Sequence, residues 1–285
     1  MTTNYGQTCD VNAFVCMVSL AGVQDNSLFS ILGGNYQIPE RCLNASNATL
    51  CRAQVTVIEK QTNQSGRVTY SLTYLPLSDG GEVAGAVTTE VYDAIILAAP
   101  LFNCGIQFKS FSKDIYTEQA KQPYHQTVAT FVKGKLNPEA FGEKHLFRTF
   151  PLSIMTMEQQ NPKISINSDA VQIPVDVKEK DSKKFLRPLT EDPSRVWKIF
   201  SNDPLTGEDL SKIYVSSDVP QFRVWRAYPN YHPPESFSPF VLDDSKLFYV
   251  NCIEYAASAM EMSAIAAKNC ALLVDEVLAK EYYED

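Results

Sequence analysis

Apolar and polar positions recur with two different periods along this chain, and the places where the period changes mark out its elements. From residue 4 to residue 30, apolar side chains return at three- and four-residue steps: Ala13, Phe14, Met17, Val18 and Leu20 follow Asp10. That spacing predicts a helix capped by Asp10 with one buried face. Val55-Thr56-Val57-Ile58-Glu59 and Val68 to Leu75 (VTYSLTYL) read as two strands, joined by a hairpin turn at Asn63-Gln64-Ser65-Gly66. Tyr92 to Pro100 holds a continuous apolar run ending in small residues, the pattern of a central parallel strand. Gln126 to Gly134 alternates like a strand of an antiparallel sheet exposed on one side, and Val196 to Ser201 reads as another. Between these two strands, Gln159 to Asp192 is polar, with Pro162, Pro174, Pro188 and, just beyond it, Pro193, which predicts loops or an insertion. A short helix is expected over Glu208 to Tyr214.

Near the end, Leu247-Phe248-Tyr249-Val250 is a short aromatic and β-branched run, read as a buried strand. Turn residues follow, and then a helix rich in alanine, methionine and leucine. Ser258-Ala259-Met260-Glu261 has the spacing of a capping box, which places the helix start at Ser258. Ala256, Ala257, Ser258 and Ala259 are small, so a flat ligand or another backbone can come close to the unpaired amides there. A βα unit packed into a core with no ligand fits the same pattern. Upstream, Leu32-Gly33-Gly34-Asn35-Tyr36-Gln37-Ile38-Pro39 predicts a tight turn at positive φ with Pro39 in the first turn of the next helix.

Composition narrows the function classes. The chain has 285 residues, 45% hydrophobic and 20% charged, which is ordinary for a globular protein of one large or two modest domains. A net charge of −8, with no basic block, argues against a nucleic-acid partner or an anionic membrane surface. No apolar run reaches transmembrane length. Asn44, Asn47 and Asn63 open Asn-x-Ser/Thr sequons in turn-rich polar sequence, which leans toward the secretory pathway, although Met1 to Gly6 has no signal-peptide character. Seven cysteines leave at least one unpaired thiol, and Cys42 with Cys51 has the separation of a possible bridge. With no metal-ligand spacing and only three histidines, a metal site is not expected. His125 and His232 are candidates for proton handling, or are structural.

The segment Tyr249-Val250-Asn251-Cys252-Ile253-Glu254, continued by Ala256 to Ala267, resembles the C-terminal flavin-binding motif of the amine-oxidase-like flavoproteins. It is most similar to that of the prenylcysteine oxidase (prenylcysteine lyase) family. Val55 with Ile58 matches that superfamily's Val-x-x-Ile strand, the Gly33-Gly34-Asn35 turn its return to the flavin domain, and Asp93 to Pro100 its D-x-V-I-x-A-x-P strand. The VWKIFS strand and Trp225 to Glu235 (WRAYPNYHPPE) resemble the prenylcysteine family and not amine oxidases in general.

The resemblance implies a mixed α/β fold. It would contain an incomplete FAD-binding domain lacking its N-terminal GxGxxG βαβ unit, since Gly33-Gly34, Gly80-Gly81 and Gly105 do not have that spacing. A substrate domain of mixed or antiparallel sheet would accompany it. Residues 1–100 and 236–285 would belong to the FAD-binding domain and residues 101–235 to the substrate domain. The implied cofactor is FAD, held by Gly33, Gly34, Asn35, Val55, Ala99, Pro100, Glu254, Ala256, Ala257, Ser258 and Met260. Glu254 is read equally as a carboxylate that accepts local backbone hydrogen bonds. Phe131, Trp197, Tyr228 and Tyr231 are candidate walls for an isoprenoid chain, or simply core. A bulky residue at Ala257 is expected to block the flavin while leaving the fold.

The partners implied are a farnesylated or geranylgeranylated cysteine and molecular oxygen, in a lysosomal or secretory setting. The reaction implied is oxidation of the carbon beside the thioether sulfur, giving free cysteine, an isoprenoid aldehyde and hydrogen peroxide. The cofactor does the hard chemistry in such a reaction, so no acid–base pair or triad need stand out. Two alternatives stay open: a non-enzymatic secreted glycoprotein that binds prenyl or other lipids, and a flavin oxidase acting on amines.

Overall fold

The computed structural model describes residues 2–7, 10–21, 29–141, 153–155, 166–173, 194–233 and 237–284. In chain order the α-helices are α1 (Thr2–Tyr5), α2 (Ala13–Ala21), α3 (Gln37–Ser46), α4 (Glu118–Lys121), α5 (Gly207–Ile213) and α6 (Met260–Glu284). The strands are β1 (Ala53–Thr62), β2 (Val68–Pro76), β3 (Thr88–Tyr92), β4 (Ile95–Leu97), β5 (Gln107–Lys109), β6 (His125–Leu136), β7 (Ser153–Met155), β8 (Ser168–Val171), β9 (Val196–Ser201), β10 (Tyr214–Ser217), β11 (Gln221–Tyr228) and β12 (Leu247–Tyr249). The fold is thus mixed α/β. The chain divides into two compact units, the first from residues 1–10, 19–42 and 125–227, the second from residues 11–18, 43–124 and 228–285.

The first unit is built on a sheet of order β10-β6-β9-β8-β7, with β11 also paired to β6. Its alternation works as the sequence predicts. Val128, Thr130, Val132 and Leu136 of β6 point inward with Trp197 and Ile199 of β9, while Phe131 and Val196 point outward and stay 40% and 39% exposed. On that outer face Lys198 lies 4.8 Å over the ring of Phe200. Helix α5 closes the inner face with Leu210 and Ile213. It starts where Thr206 and Asp209 form a reciprocal capping box, the Thr206 hydroxyl accepting from Asp209 N at 3.2 Å. Gly134 is required on β6, because a Cβ there would come within 2.6 Å of the Ser216 carbonyl oxygen on β10.

The second unit holds the sheet β3-β2-β1-β5 and the parallel pair β12-β4. The β1–β2 hairpin turns where expected: Asn63 N donates to Arg67 O at 3.0 Å, Arg67 N to Asn63 Oδ1 at 2.9 Å, and Gly66 adopts φ +86. Ile58, Tyr70, Leu97, Leu101, Leu247 and Tyr249 form the core.

A buried polar cluster ties this core together. The Asp243 carboxylate accepts from the Tyr70 hydroxyl at 2.6 Å, from Lys60 at 2.9 Å, and from the amides of Ser245 and Leu247 at 3.0 and 3.1 Å. Lys246 N donates to the Tyr70 hydroxyl at 2.9 Å, and the buried Lys246 ammonium pairs with Glu281 near the end of α6 at 2.5 Å.

Several expectations are corrected. Helix α2 forms, but Asn12 caps it, its Oδ1 accepting from Val15 N at 2.8 Å; the cap is not Asp10. Val15 is its buried residue, whereas Phe14, Met17 and Leu20 are 47%, 66% and 58% exposed. Three- and four-residue spacing shows that a stripe exists without saying which stripe is covered. The strand expected from Tyr92 to Pro100 is only Ile95–Leu97, pairs with β12 on one edge, and has no second strand neighbour among the described residues, so it is not central. Part of the polar stretch Gln159 to Asp192 is β8, whose buried Ser168 and Asp169 hide the apolar alternation. The rest of that stretch, apart from residues 166–173, lies outside the described residues, as do Pro193, Cys9 and residues 234–236 of the WRAYPNYHPPE segment. Cys42 and Cys51 are free, exposed thiols and not a bridge.

Candidate functional site

The two parallel strands β4 and β12 end in register, Leu97 opposite Tyr249. Ala98 to Pro100 and Val250 to Ala257 therefore leave the same carboxyl edge of one small sheet. In α/β proteins ligands settle at that edge. After Tyr249 the chain does not make a plain turn but a 3-10 helix, Val250–Tyr255, before α6 begins at Met260. The helix start thus falls two residues past Ser258, with Ala259 O accepting the first intrahelical bond from Ser263 N at 3.0 Å.

Side chains along this segment face two ways. Ala257 is fully buried and its amide donates to Ile253 O at 3.1 Å, while Ala256 and Ser258 are partly buried. A tryptophan at 257 would therefore break the packing, contrary to the expectation that it would spare the fold. Along α6, Met262, Ala266 and Cys270 are buried, and Met260, Ile265 and Leu272 are 53%, 57% and 60% exposed. The start of α6 is thus open on one side. Neither of two cavities in this unit, 570 Å³ along Ile106 to Tyr116 and 330 Å³ at Arg67, Asp93, Leu278, Glu281 and Tyr282, touches it.

Asn251 is the residue that sequence reading passed over. Its side-chain oxygen is buried and has no hydrogen-bond partner, two residues beyond the last strand pair. A buried acceptor left unpaired costs about 1–3 kcal/mol, so this oxygen calls for a donor, a water or a ligand, that the described residues do not supply. The only sequence signal was its place in the segment that carries the family resemblance.

Glu254 is held by side chains rather than by helix-entry amides. Its carboxylate accepts from the Tyr124 hydroxyl, and its backbone carbonyl from the Tyr231 hydroxyl at 3.0 Å. Tyr124 packs between Phe102 and Tyr255, with ring centroids 4.8 and 6.1 Å away. Burial and the neighbouring Glu254 push the Tyr124 hydroxyl far up, and the same causes lift Tyr255 to about 12. Burial, with Cys270 nearby, raises the Cys252 thiol to about 12. At neutral pH this edge therefore presents protonated phenols and an inert thiol. Tyr124 and Glu254 are 130 residues apart, so no local pattern could have paired them.

Of the other candidates, Ala99 is exposed and Pro100 partly buried beside the same edge, and Val55 lies on β1 next to a bulge. Gly33, Gly34 and Asn35 form the expected turn in the first unit, at φ +89 and +123 for the glycines, with Asn35 Oδ1 accepting from Ile31 N at 2.9 Å. Phe131 is on the outer sheet face of the first unit. Trp197 is wholly buried there, its Nε1 donating to Gly134 O at 3.0 Å. In the second unit Tyr228 is partly buried and Tyr231 fully so. His232 and the sequon residues Asn44, Asn47 and Asn63 are exposed. Among the described residues no group of histidine, cysteine or carboxylate side chains could hold a metal, and no helix is long and apolar enough to cross a membrane.

The described geometry defines a mixed α/β protein whose candidate ligand edge lies where two parallel strands run into a small-residue helix start. A family model described as prenylcysteine lyase matches residues 1–284, and the chain belongs to that family. It is 37% identical to prenylcysteine oxidase 1 of Rattus norvegicus, over 96% of this chain and 51% of that protein. It is 38% identical to prenylcysteine oxidase 1 of Bos taurus, over 96% and 51%, and 32% identical to farnesylcysteine lyase of Arabidopsis thaliana, over 98% and 48%. The chain spans about half the length of the curated relatives it matches. A solved putrescine oxidase double mutant overlays with a TM-score of 0.43 at 13% identity, over 84% of this chain and 53% of that one, too slight a likeness to carry an argument.

Proposed function

We propose that the protein acts in flavin-dependent cleavage of prenylated cysteines, with FAD seated against the carboxyl edge of β4 and β12. The observation that carries this reading is the buried, unpartnered Asn251 oxygen at that edge. Relatives named for prenylcysteine oxidation and farnesylcysteine cleavage supply the substrate class. Per turnover one prenylcysteine, one oxygen molecule and one water would give cysteine, the isoprenoid aldehyde and hydrogen peroxide. Bound FAD would supply the two-electron acceptor for that oxidation.

The chain's own residues bind and orient. Asn251 accepts a ligand hydrogen bond, and Glu254, braced by Tyr124, sets the wall of the edge. Ala256 and Ser258, both only partly buried, keep the approach to the start of α6 narrow-walled, while Ala257 packs inward beneath it. The opening turn of α6 would stabilise negative charge placed against it by up to about 2 kcal/mol. Ala99 and Pro100 border the same edge, and Val55, Gly33, Gly34 and Asn35 are assigned to FAD by resemblance. Phe131, on the outer sheet face of the first unit, and Tyr228 and Tyr231, in the second, are each carried as candidate contacts for an isoprenoid chain. Trp197 supports that sheet from its inner side. Residues 1–100 and 236–285 are read as part of an FAD-binding domain, and residues 101–235 as the substrate domain.

Peroxide release should follow addition of farnesylcysteine and not of polyamines. Peroxide from polyamines alone would favour an amine oxidase, and farnesylcysteine bound without turnover a lipid-binding glycoprotein. A lysosomal or secretory location is proposed from the three exposed sequons. It predicts that N-glycosidase treatment lowers the apparent mass of the protein from its native source; an unchanged mass would contradict it.

A further inference from the structure

Strand β8 carries a carboxyl group that the proposed function does not use. Asp169 is 0% exposed on the inner face of the first unit's sheet. It stands in a row across four strands, Thr130, Ile199, Asp169 and Ile154. One oxygen, Oδ2, accepts from the Tyr214 hydroxyl at 2.8 Å, and the other, Oδ1, is buried with no partner. Thr130 Oγ1, in the same row, is also buried without a partner.

No cation faces this carboxyl among the described residues. On β9, Lys198 points to the opposite face over Phe200, and Arg195 lies four residues along from Ile199. On α5, Leu210 and Ile213 face the core, while Lys212 pairs with Glu208 at 3.0 Å on the surface and Asp209 belongs to the helix cap. On β6 the inward neighbours are Thr130 and Val132, and on β7 Ile154. Among the described residues Tyr214 of β10 is the titratable group that faces Asp169, and burial beside that carboxyl keeps its phenol protonated.

A carboxylate out of water with one hydroxyl donor is far costlier than the neutral acid. We infer that the first unit is locked by a proton on Asp169, firm in acid and loosened when that proton leaves. Burial lifts the group from its ordinary 3.8 to about 7, with the Tyr214 hydrogen bond acting the other way. The folded state thus binds the extra proton between roughly pH 4 and pH 7. The stability this proton confers is complete below that window and declines with rising pH, by up to about tenfold in the folding constant per pH unit, until it is gone above about pH 7.

Trp197 reports the event, since its ring lies 6.3 Å from that of Tyr214. In a Trp225→Phe background, which removes the chain's other tryptophan, urea unfolding followed by Trp197 emission is compared between about pH 5 and pH 7.5. The folding constant should fall with pH by up to about a hundredfold more than in the same protein carrying Asp169→Asn. Tyr214→Phe removes the donor that favours the carboxylate, so its loss of stability should move to higher pH. Equal pH dependence with and without Asp169→Asn would overturn the lock. If the asparagine variant does not fold, Tyr214→Phe decides alone: a window moved upward supports the lock, and an unmoved window overturns it.

Discussion

Asp243→Ala is expected to destabilise the second unit by about 3–5 kcal/mol, because it strips the partner from a charge that stays buried. The side chain of Asp243 is 2% exposed and that of Lys60 19%, so water cannot readily replace the lost contact. The same carboxylate also satisfies the Tyr70 hydroxyl and the amides of Ser245 and Leu247, which together set the start of β12. Burial and Asp243 both push the Tyr70 phenol up, so it remains a neutral donor and would be left without its acceptor. Asp243→Asn should lose less, because its amide oxygen can still accept from Tyr70. Urea denaturation of the two variants measures this; a loss under about 1 kcal/mol for alanine would mean the cluster is solvated rather than closed.

Met260→Asp should abolish flavin binding while leaving the protein folded. Met260 is the first residue of α6 and is 53% exposed, so a smaller polar side chain leaves no cavity there. An acidic residue in a first helical turn is mildly favourable, by about 0.3–1 kcal/mol. It would, however, place a carboxylate where the proposed site needs the helix start free for the electron-rich ring. The variant should match the unmodified protein in circular dichroism and unfolding midpoint, and carry little or no bound flavin. Full flavin occupancy in the folded variant would place the ring somewhere other than the start of α6.

What the sequence disclosed depended on how local the cause was. The β1–β2 hairpin was legible because Asn63 and Gly66 make the turn with their own side chain and φ, and the flanking alternation fixes the strands. Strand β9 matched residue for residue, since Trp197, Ile199 and Ser201 alternate cleanly with outward positions. Strand β8 was missed because a buried carboxyl stands where an apolar residue would signal a strand. β10 and β11 were not anticipated either, and β11 keeps Phe222, Val224 and Trp225 about half exposed, so burial never sorted its residues into two faces.

The candidate edge was half legible in the same sense. The small residues Ala256 to Ala259 and the strand before them could be read directly. That a 3-10 helix intervenes, that Ala257 faces inward, and that Tyr124 reaches Glu254 from 130 residues away depend on tertiary packing. Asn251 is the clearest case. As a letter it is an ordinary turn residue, and only burial without a partner singles it out for the proposed site.

The most direct measurement is the visible absorption spectrum of the purified protein, with and without Asn251→Leu. If the carboxyl edge of β4 and β12 seats a flavin, the unmodified protein carries the flavin bands at close to one per chain and the leucine variant shows a clear loss at unchanged fold. A colourless unmodified protein after incubation with FAD, or a leucine variant that keeps its full flavin content, would contradict the account.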